Sequence, residues 1–190
     1  MIQLKHRKKA VSRHARSAYH RTAKKRKDFE TMEIKDIQVD ILKDMCRVTP
    51  KHRVFYEKPS DHETFLCVDG YVFYSFPSDL LFLDTEKMRE LNGNVIAKNI
   101  QEVQNDEETV TFRGESVTMK VSGSKDKELY KLHHADSDTV TYVDKNLCKY
   151  LNVNYPGMRL STKRNSTVSV VLFYERGQLI GGVLPVRYVG

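Results

Sequence analysis

The sequence predicts an α+β domain, mostly antiparallel sheet in two βαβββ-type halves, behind a basic N-terminal arm. Three observations predict it. Eleven Lys/Arg and no acidic group stand in the first 27 residues. From residue 31 onward, apolar positions recur at both helical and alternating spacings. Two tight pairs, Asp69-Gly70 and Arg176-Gly177, separate β-branched and aromatic runs as hairpin turns do. The expected division is a basic arm over 1–30, disordered or helical, and one domain over 31–190.

A chain of 190 residues with 39% apolar content can form one moderate core. No apolar run approaches the roughly 20 residues of a membrane helix, and the basic start lacks the apolar stretch of a signal peptide. The expectation is a soluble, cytoplasmic protein. Cys46, Cys67 and Cys148 are odd in number, far apart and set among apolar neighbours, which predicts buried, reduced thiols.

The net charge of +7 conceals a division within the chain. Of its 32 basic residues 11 lie before Asp28, leaving 21 against 25 acidic residues beyond it. Positive charge is a property of the arm, and the remainder is mildly acidic. Lys5, Arg7, Lys8, Lys9, Arg13, Arg16, Arg21, Lys24, Lys25, Arg26 and Lys27 are the candidate nucleic-acid contacts, since dense cations displace counterions from phosphates. The stripe Leu4, Val11, Ala15, Ala18 and Thr22 has helical spacing, but its side chains are too small to anchor a helix in a bilayer.

From Asp36, a candidate N-cap, Ile37, Ile41, Leu42, Met45, Cys46 and Val48 fall largely on one helical face, and Pro50 ends the segment. "HRVFYEKP" and "TFLCVDGYVFYSFP" read as strands, the second a hairpin about Asp69-Gly70. "DTEKMREL" reads as a short helix and "NGN" as a breaker. "NVIAKNIQEVQ", "ETVTFRG" and "ESVTMKVSG" read as polar strands, with a loop over Ser122–Lys127. "DTVTYV" then predicts a strand and "DKNLCKYL" a short helix capped by Asp144. "GMRLSTKR", "STVSVVLFYE" and "QLIGGVLPVRYV" predict three strands. Most of the ten Tyr and eight Phe fall in strand-like runs, as core or cross-strand partners.

Motifs of chemistry are sparse. The chain has no G-x-x-x-x-G-K-[ST], G-x-G-x-x-G, G-x-S-x-G or H-E-x-x-H sequence. His133-His134 would point to opposite faces of a strand, so a surface or loop pair is expected there rather than a metal site. His52, His62 and Cys67 match no standard ligand spacing. "SDHE", Ser60 to Glu63, reads as a polar turn, and Asp106-Glu107-Glu108 as a solvated one. The expectation is a protein that is not an enzyme, with no cofactor and no metal.

Over Thr139 to Val189 the chain resembles the closing half of a bacterial DNA sliding clamp, the processivity subunit of the replicative polymerase. "TVTYVDKNLCKYL" stands for that family's strand and helix, and "MRLSTKRNSTVSVVLFYERGQLIGGVLPVRY" for its three strands. Leu184-Pro185-Val186-Arg187-Tyr188 takes the place of the family's terminal motif. The resemblance implies a clamp-like fold, DNA contacts from Lys43, Arg47, Lys145 and Lys149 on two helices, and a peptide-binding groove formed in part by Leu184, Pro185, Val186 and Arg187. Bacterial clamps carry three such domains per chain and this chain has room for one, so a ring would need several copies. The basic arm lies outside the family pattern, and "LPVRY" reads equally as an edge strand, where proline is tolerated. The sequence thus points to a non-enzymatic, DNA-associated recruitment or processivity module with a protein partner or a homo-oligomer at its C-terminal strand. The alternatives are an RNA- or ribosome-binding module, a mobile-element decoy of a clamp, and an enzyme whose site no motif reveals.

Overall fold

The computed structural model describes residues 35–43, 54–120 and 126–187. The eleven arm cations, Cys46, Arg47, His52 and Tyr188 lie outside them. The chain divides into two units, Met1–Asp40 and Ile41–Gly190. Of the first, residues 35–40 are described, as the start of helix α1 (35–43). Asp36, expected as its cap, already lies inside the helix. Ile37 is half-buried, Ile41 buried, and Leu42 and Lys43 exposed.

The second unit is built on one mixed sheet. Its strands are β1 (Val54–Ser60), β2 (Glu63–Val68), β3 (Val72–Pro77), β4 (Arg89–Glu90), β5 (Glu107–Lys120), β6 (Asp126–His134), β7 (Val140–Asp144), β8 (Met158–Lys163), β9 (Val171–Glu175) and β10 (Gln178–Val183). Their spatial order is β4-β1-β2-β3-β10-β9-β8-β5-β6-β7. The β1–β4 pair is parallel and the others are antiparallel. Helix α2 (Val95–Asn105) separates β4 from β5.

Both expected hairpins form. Asp69 and Gly70 have φ of 54° and 75°, and Arg176 and Gly177 of 52° and 83°. Consecutive left-handed residues give a turn whose twist matches that of the flanking strands, and an Asp or Arg there is tolerated because glycine takes the second position.

Several expected elements are corrected. "NVIAKNIQEVQ" is not a strand: it forms α2, with Ile96, Ile100 and Val103 buried at spacings of four and three. Its β-branched residues favour strands, but that spacing gathers them on one helical face against the sheet. "DTEKMREL" is not an α-helix: a three-residue 3₁₀ turn, Thr85–Lys87, leads into β4. In "DKNLCKYL" Asp144 ends β7 and the residues after it form a succession of turns, so the clamp resemblance lacks its helix there. "ETVTFRG" and "ESVTMKVSG" belong to one strand, β5. Its pairing with β6 passes from Phe112↔Leu132 to Ser116↔Tyr130, so three β5 residues face one of β6. Gly114, with φ of 82°, sits in that bulge.

The core lies on both sides of β9, whose Val171–Tyr174 are all buried. On one face Val170, Leu172 and Tyr174 join Phe65, Cys67, Phe73, Ile96, Ile100 and Val103, so that α2 covers the sheet. Val171 and Phe173, fully buried, alternate to the other face. Two aromatic contacts are cross-strand pairs, as expected. Phe65 meets Phe73 at 5.5 Å between ring centroids, and Phe112 meets Tyr130 at 4.9 Å.

Strand β10 is central, which corrects the edge-strand reading of "LPVRY": the strand ends at Val183, and Pro185 lies beyond it. After Val183 the chain continues along β3, the Leu184 N–H donating to the Tyr71 carbonyl at 2.7 Å. The Val186 N–H then donates to the Tyr142 carbonyl of β7 at 2.8 Å. Since β7 ends the strand order, the six strands from β10 round to β7 curl until that edge meets the continuation of β10. Gly181 and Gly182 permit the approach to β3. A Cβ at Gly181 would strike the Phe73 carbonyl oxygen, and one at Gly182 would lie 2.5 Å from the Phe73 ring.

Candidate functional site

Two features of the curled strands hold polar groups of interest: a buried network inside and a cleft beside β5. The network centres on Glu108, near the start of β5. Its Oε2 lies 2.9 Å from His134 Nδ1 on β6, and His134 Nε2 lies 2.9 Å from Thr141 Oγ1 on β7. Oε1 accepts the Asp136 N–H at 3.0 Å, and Oε2 the Asn165 N–H at 3.2 Å. A carboxylate only accepts, so Nδ1 of a neutral imidazole carries the proton and Nε2 accepts from the threonine hydroxyl. Burial by itself would raise the Glu108 carboxyl; the hydrogen bonds from His134, Asp136 and Asn165 outweigh it and hold the group below the usual carboxylate range.

Hydroxyl, imidazole and carboxylate in this order have the polarity of a hydrolase triad. All three groups are sealed from solvent. The His134 and Glu108 side chains are 0% exposed, and Thr141 is 0% exposed. Arg164 adds ion pairs outside, 2.7 Å from Asp136 and 3.5 Å from Asp106. The network fastens β5, β6 and β7 to their loops.

These contacts correct two expectations. His133-His134 is neither a surface nor a loop pair: both residues lie on β6, with His134 inside and His133 3.7 Å from Glu115. Asp106-Glu107-Glu108 is not a solvated turn: Asp106 caps α2, Glu108 is buried, and Glu107 Oε1 lies 2.6 Å from Arg159 Nη1. "SDHE" is the polar turn expected, with His62 donating its N–H to Ser60 Oγ at 3.3 Å and Asp61 3.6 Å from Lys58.

A second buried acid, Glu57 of β1, was also missed. Its two oxygens accept the N–H groups of Ile96 and Ala97, each at 2.8 Å. It caps α2 from 39 and 40 residues away, while Asn94 makes no side-chain cap. Alternation of buried and exposed positions could have flagged both acids, because each occupies an inward site on its strand.

The cleft opens where β5 and β8 part. Their register ends at Val110↔Leu160, leaving about 390 Å³ lined by Thr111, Phe112, Gly114, Tyr155, Met158 and Arg159 among others. The Arg159 guanidinium lies 4.2 Å from the Tyr174 ring centroid as well as on Glu107.

Of the expected peptide-binding residues, Leu184 is half-buried against the α2-covered cluster, Pro185 and Val186 are half-buried, and Arg187 is exposed. Lys145 and Lys149 stand in the turns after β7, where Lys145 pairs with Glu128 at 2.9 Å and Lys149 lies 4.6 Å from the Tyr150 ring centroid. The buried-thiol expectation holds for Cys67 and Cys148, whose thiols burial pushes up to about 11 and about 12. Among the described residues no group of three His, Cys, Asp or Glu side chains is placed to hold a metal ion. No helix among them is long and apolar enough to cross a membrane.

Comparison of the chain with protein-family models, with curated proteins and with solved structures finds no match.

Proposed function

We propose that this chain is a non-enzymatic, nucleic-acid-associated binding protein, DNA being the favoured polymer, in which the first 27 residues neutralise phosphates and the sheet-rich body engages a protein. One observation carries the reading: 11 cations without an acid precede a remainder with 21 basic against 25 acidic residues. A charge distribution this uneven supplies phosphate affinity that does not depend on the body's own weakly acidic surface. The inaccessibility of the Glu108–His134–Thr141 array favours a structural use of its triad-like polarity over hydrolysis.

The narrower form is a sliding-clamp-like recruitment or processivity module. The resemblance over Thr139–Val189 supports it, as does the succession of β8, β9 and β10 after β7. The turns in place of a helix at "DKNLCKYL" weigh against it.

Fluorescence anisotropy with labelled duplex DNA tests the broader reading. The full chain binds with log K falling linearly in log salt, by about 0.9 per phosphate neutralised. Replacing Lys24, Lys25, Arg26 and Lys27 with Gln flattens that slope and weakens binding. An unchanged slope overturns the arm's role, and stronger binding to single-stranded RNA moves the reading to an RNA module. Solution mass with and without DNA tests the narrower form, which requires a ring-sized assembly.

A further inference from the structure

We propose that the Asn92-Gly93 pair ahead of α2 is a site of spontaneous deamidation, and that the isoaspartyl product loosens α2 from its Glu57 cap. This goes beyond phosphate binding by residues 1–27 and does not depend on it.

The reaction needs an asparagine amide within reach of the next residue's nitrogen, and a backbone free to bring the two together. Asn92, Gly93 and Asn94 are exposed and lie between the end of β4 at Glu90 and the start of α2 at Val95. Among the described residues nothing accepts the Gly93 N–H and nothing bonds the Asn92 side chain. Gly93 has φ of 91°, and no atom lies within 4 Å of the place a Cβ would take. Without a side chain its nitrogen approaches Asn92 Cγ unhindered, and its backbone turns at little steric cost. Asn94, by contrast, precedes Val95, whose branched side chain crowds the corresponding nitrogen. Asp69-Gly70, the comparable acidic pair, is clamped: the Tyr71 N–H donates to the Val68 carbonyl at 3.1 Å across its hairpin.

In the step itself the Gly93 nitrogen bonds to Asn92 Cγ, its proton passes through water to the departing amide nitrogen, and ammonia leaves. Water then opens the cyclic imide. Opening at Cγ leaves aspartate. Opening at the backbone carbonyl leaves isoaspartate, whose main chain runs through Cβ and Cγ and is longer by a methylene. Water is consumed, ammonia is released and nothing is oxidised. The lengthened segment is tied at both ends. The Leu91 N–H donates to the Tyr56 carbonyl at 2.8 Å, and the Ile96 and Ala97 N–H groups donate to Glu57 at 2.8 Å each. Tyr56 and Glu57 are neighbours on β1, so residues 92–95 bridge two fixed points. A longer bridge displaces the first turn of α2 from Glu57, which is 1% exposed and relies on those donors.

Ageing the full-length protein in mildly alkaline buffer, beside a synthetic peptide of residues 90–98, tests this; trypsin releases the same fragment from the chain. Mass spectrometry with fragmentation that separates isoaspartate from aspartate follows each asparagine. The folded chain converts Asn92, and not Asn94, at a rate close to the free peptide's. Asn92→Gln, which would have to close a larger ring, stays intact. In the purified isoaspartyl form, hydrogen exchange at the Ile96 and Ala97 amides rises by about tenfold, the weight of a hydrogen bond to a charged group. Asn92→Asp, which keeps the main-chain length, exchanges there as the wild type does. A folded chain that reacts slower than the peptide by about tenfold or more overturns the proposal, because the segment must then open first. Conversion of Asn94 ahead of Asn92 overturns it too, as does wild-type exchange at Ile96 and Ala97 in the isoaspartyl form.

Discussion

The two halves of β5 share one strand and opposite fates. Its first four residues, Glu107–Val110, are paired with β8 throughout, and the last two of them also bond toward β6, through Val110↔His134 and the Ala135 N–H on the Thr109 carbonyl; they place an acid in the interior. From Thr111 onward the strand has β6 alone among the described strands, and its side chains are exposed or half-buried. Both halves carry charged, β-branched and small polar residues. The difference teaches that burial of a polar residue here follows from which strand lies alongside, not from its own preference. Glu108 is tolerated inside because one imidazole and two backbone N–H groups satisfy it. Glu115, seven residues on, keeps water and a lysine instead.

Breaking the sealed half has the largest expected effect. Glu108→Gln presents an amide NH₂ where three donors already converge, and the variant loses about 3 kcal/mol of stability in urea unfolding. An unchanged midpoint would show that the network does not hold β5, β6 and β7 together. Acid probes the same group without mutation. The folded chain holds Glu108 below its ordinary value, so its contribution is complete above the unfolded carboxyl value, about 4.3, and is lost as pH falls through the lower folded value. Wild-type stability accordingly drops across that acidic window more steeply than that of Glu108→Gln. Parallel pH profiles would remove Glu108 as the cause.

The junction between the halves has an intermediate effect. Gly114 has φ of 82° with open space around its Cβ position, so Gly114→Ala costs about 1 kcal/mol through backbone strain alone. A neutral result would mean that the bulge relaxes without loss. Smallest are the surface changes: Glu107→Ala removes a partly exposed pair with Arg159, and Thr118→Ala touches the one-sided half. Each shifts stability by about 0.5 kcal/mol or less. A larger loss from Thr118→Ala would show that this half is not free.

Much of the sheet was legible. Asp69-Gly70 and Arg176-Gly177 announced their hairpins because a left-handed pair of residues is encoded locally. The aromatic run of β3 and the apolar run of β9 showed themselves through composition. Helix α2 was misread because Val95, Ile96, Ile100 and Val103 favour strands individually, and their helical grouping shows only when spacing is weighed above residue type. Glu57 and Glu108 were missed for a different reason. An acid within a strand reads as solvent-facing unless its donors are known, and those donors come from 39 or 40 residues away for Glu57 and at least 26 for Glu108. The His133-His134 pair was expected at the surface or in a loop, but both residues lie on β6 and His134 is buried, because the strands packed beside it supply Glu108 and Thr141 as partners.

By itself the sequence determined the segregation of positive charge into residues 1–27, the two tight turns and the sheet-rich α+β class, because each depends on residues adjacent in the chain. Tertiary structure alone decided that β10 lies at the centre, that Val186 reaches β7, that Glu108 is sealed from water and that β8 leaves β5 at Val110. These outcomes depend on which distant segments become neighbours, and the energy of a buried carboxylate or an open strand edge is fixed by those neighbours rather than by the local chain.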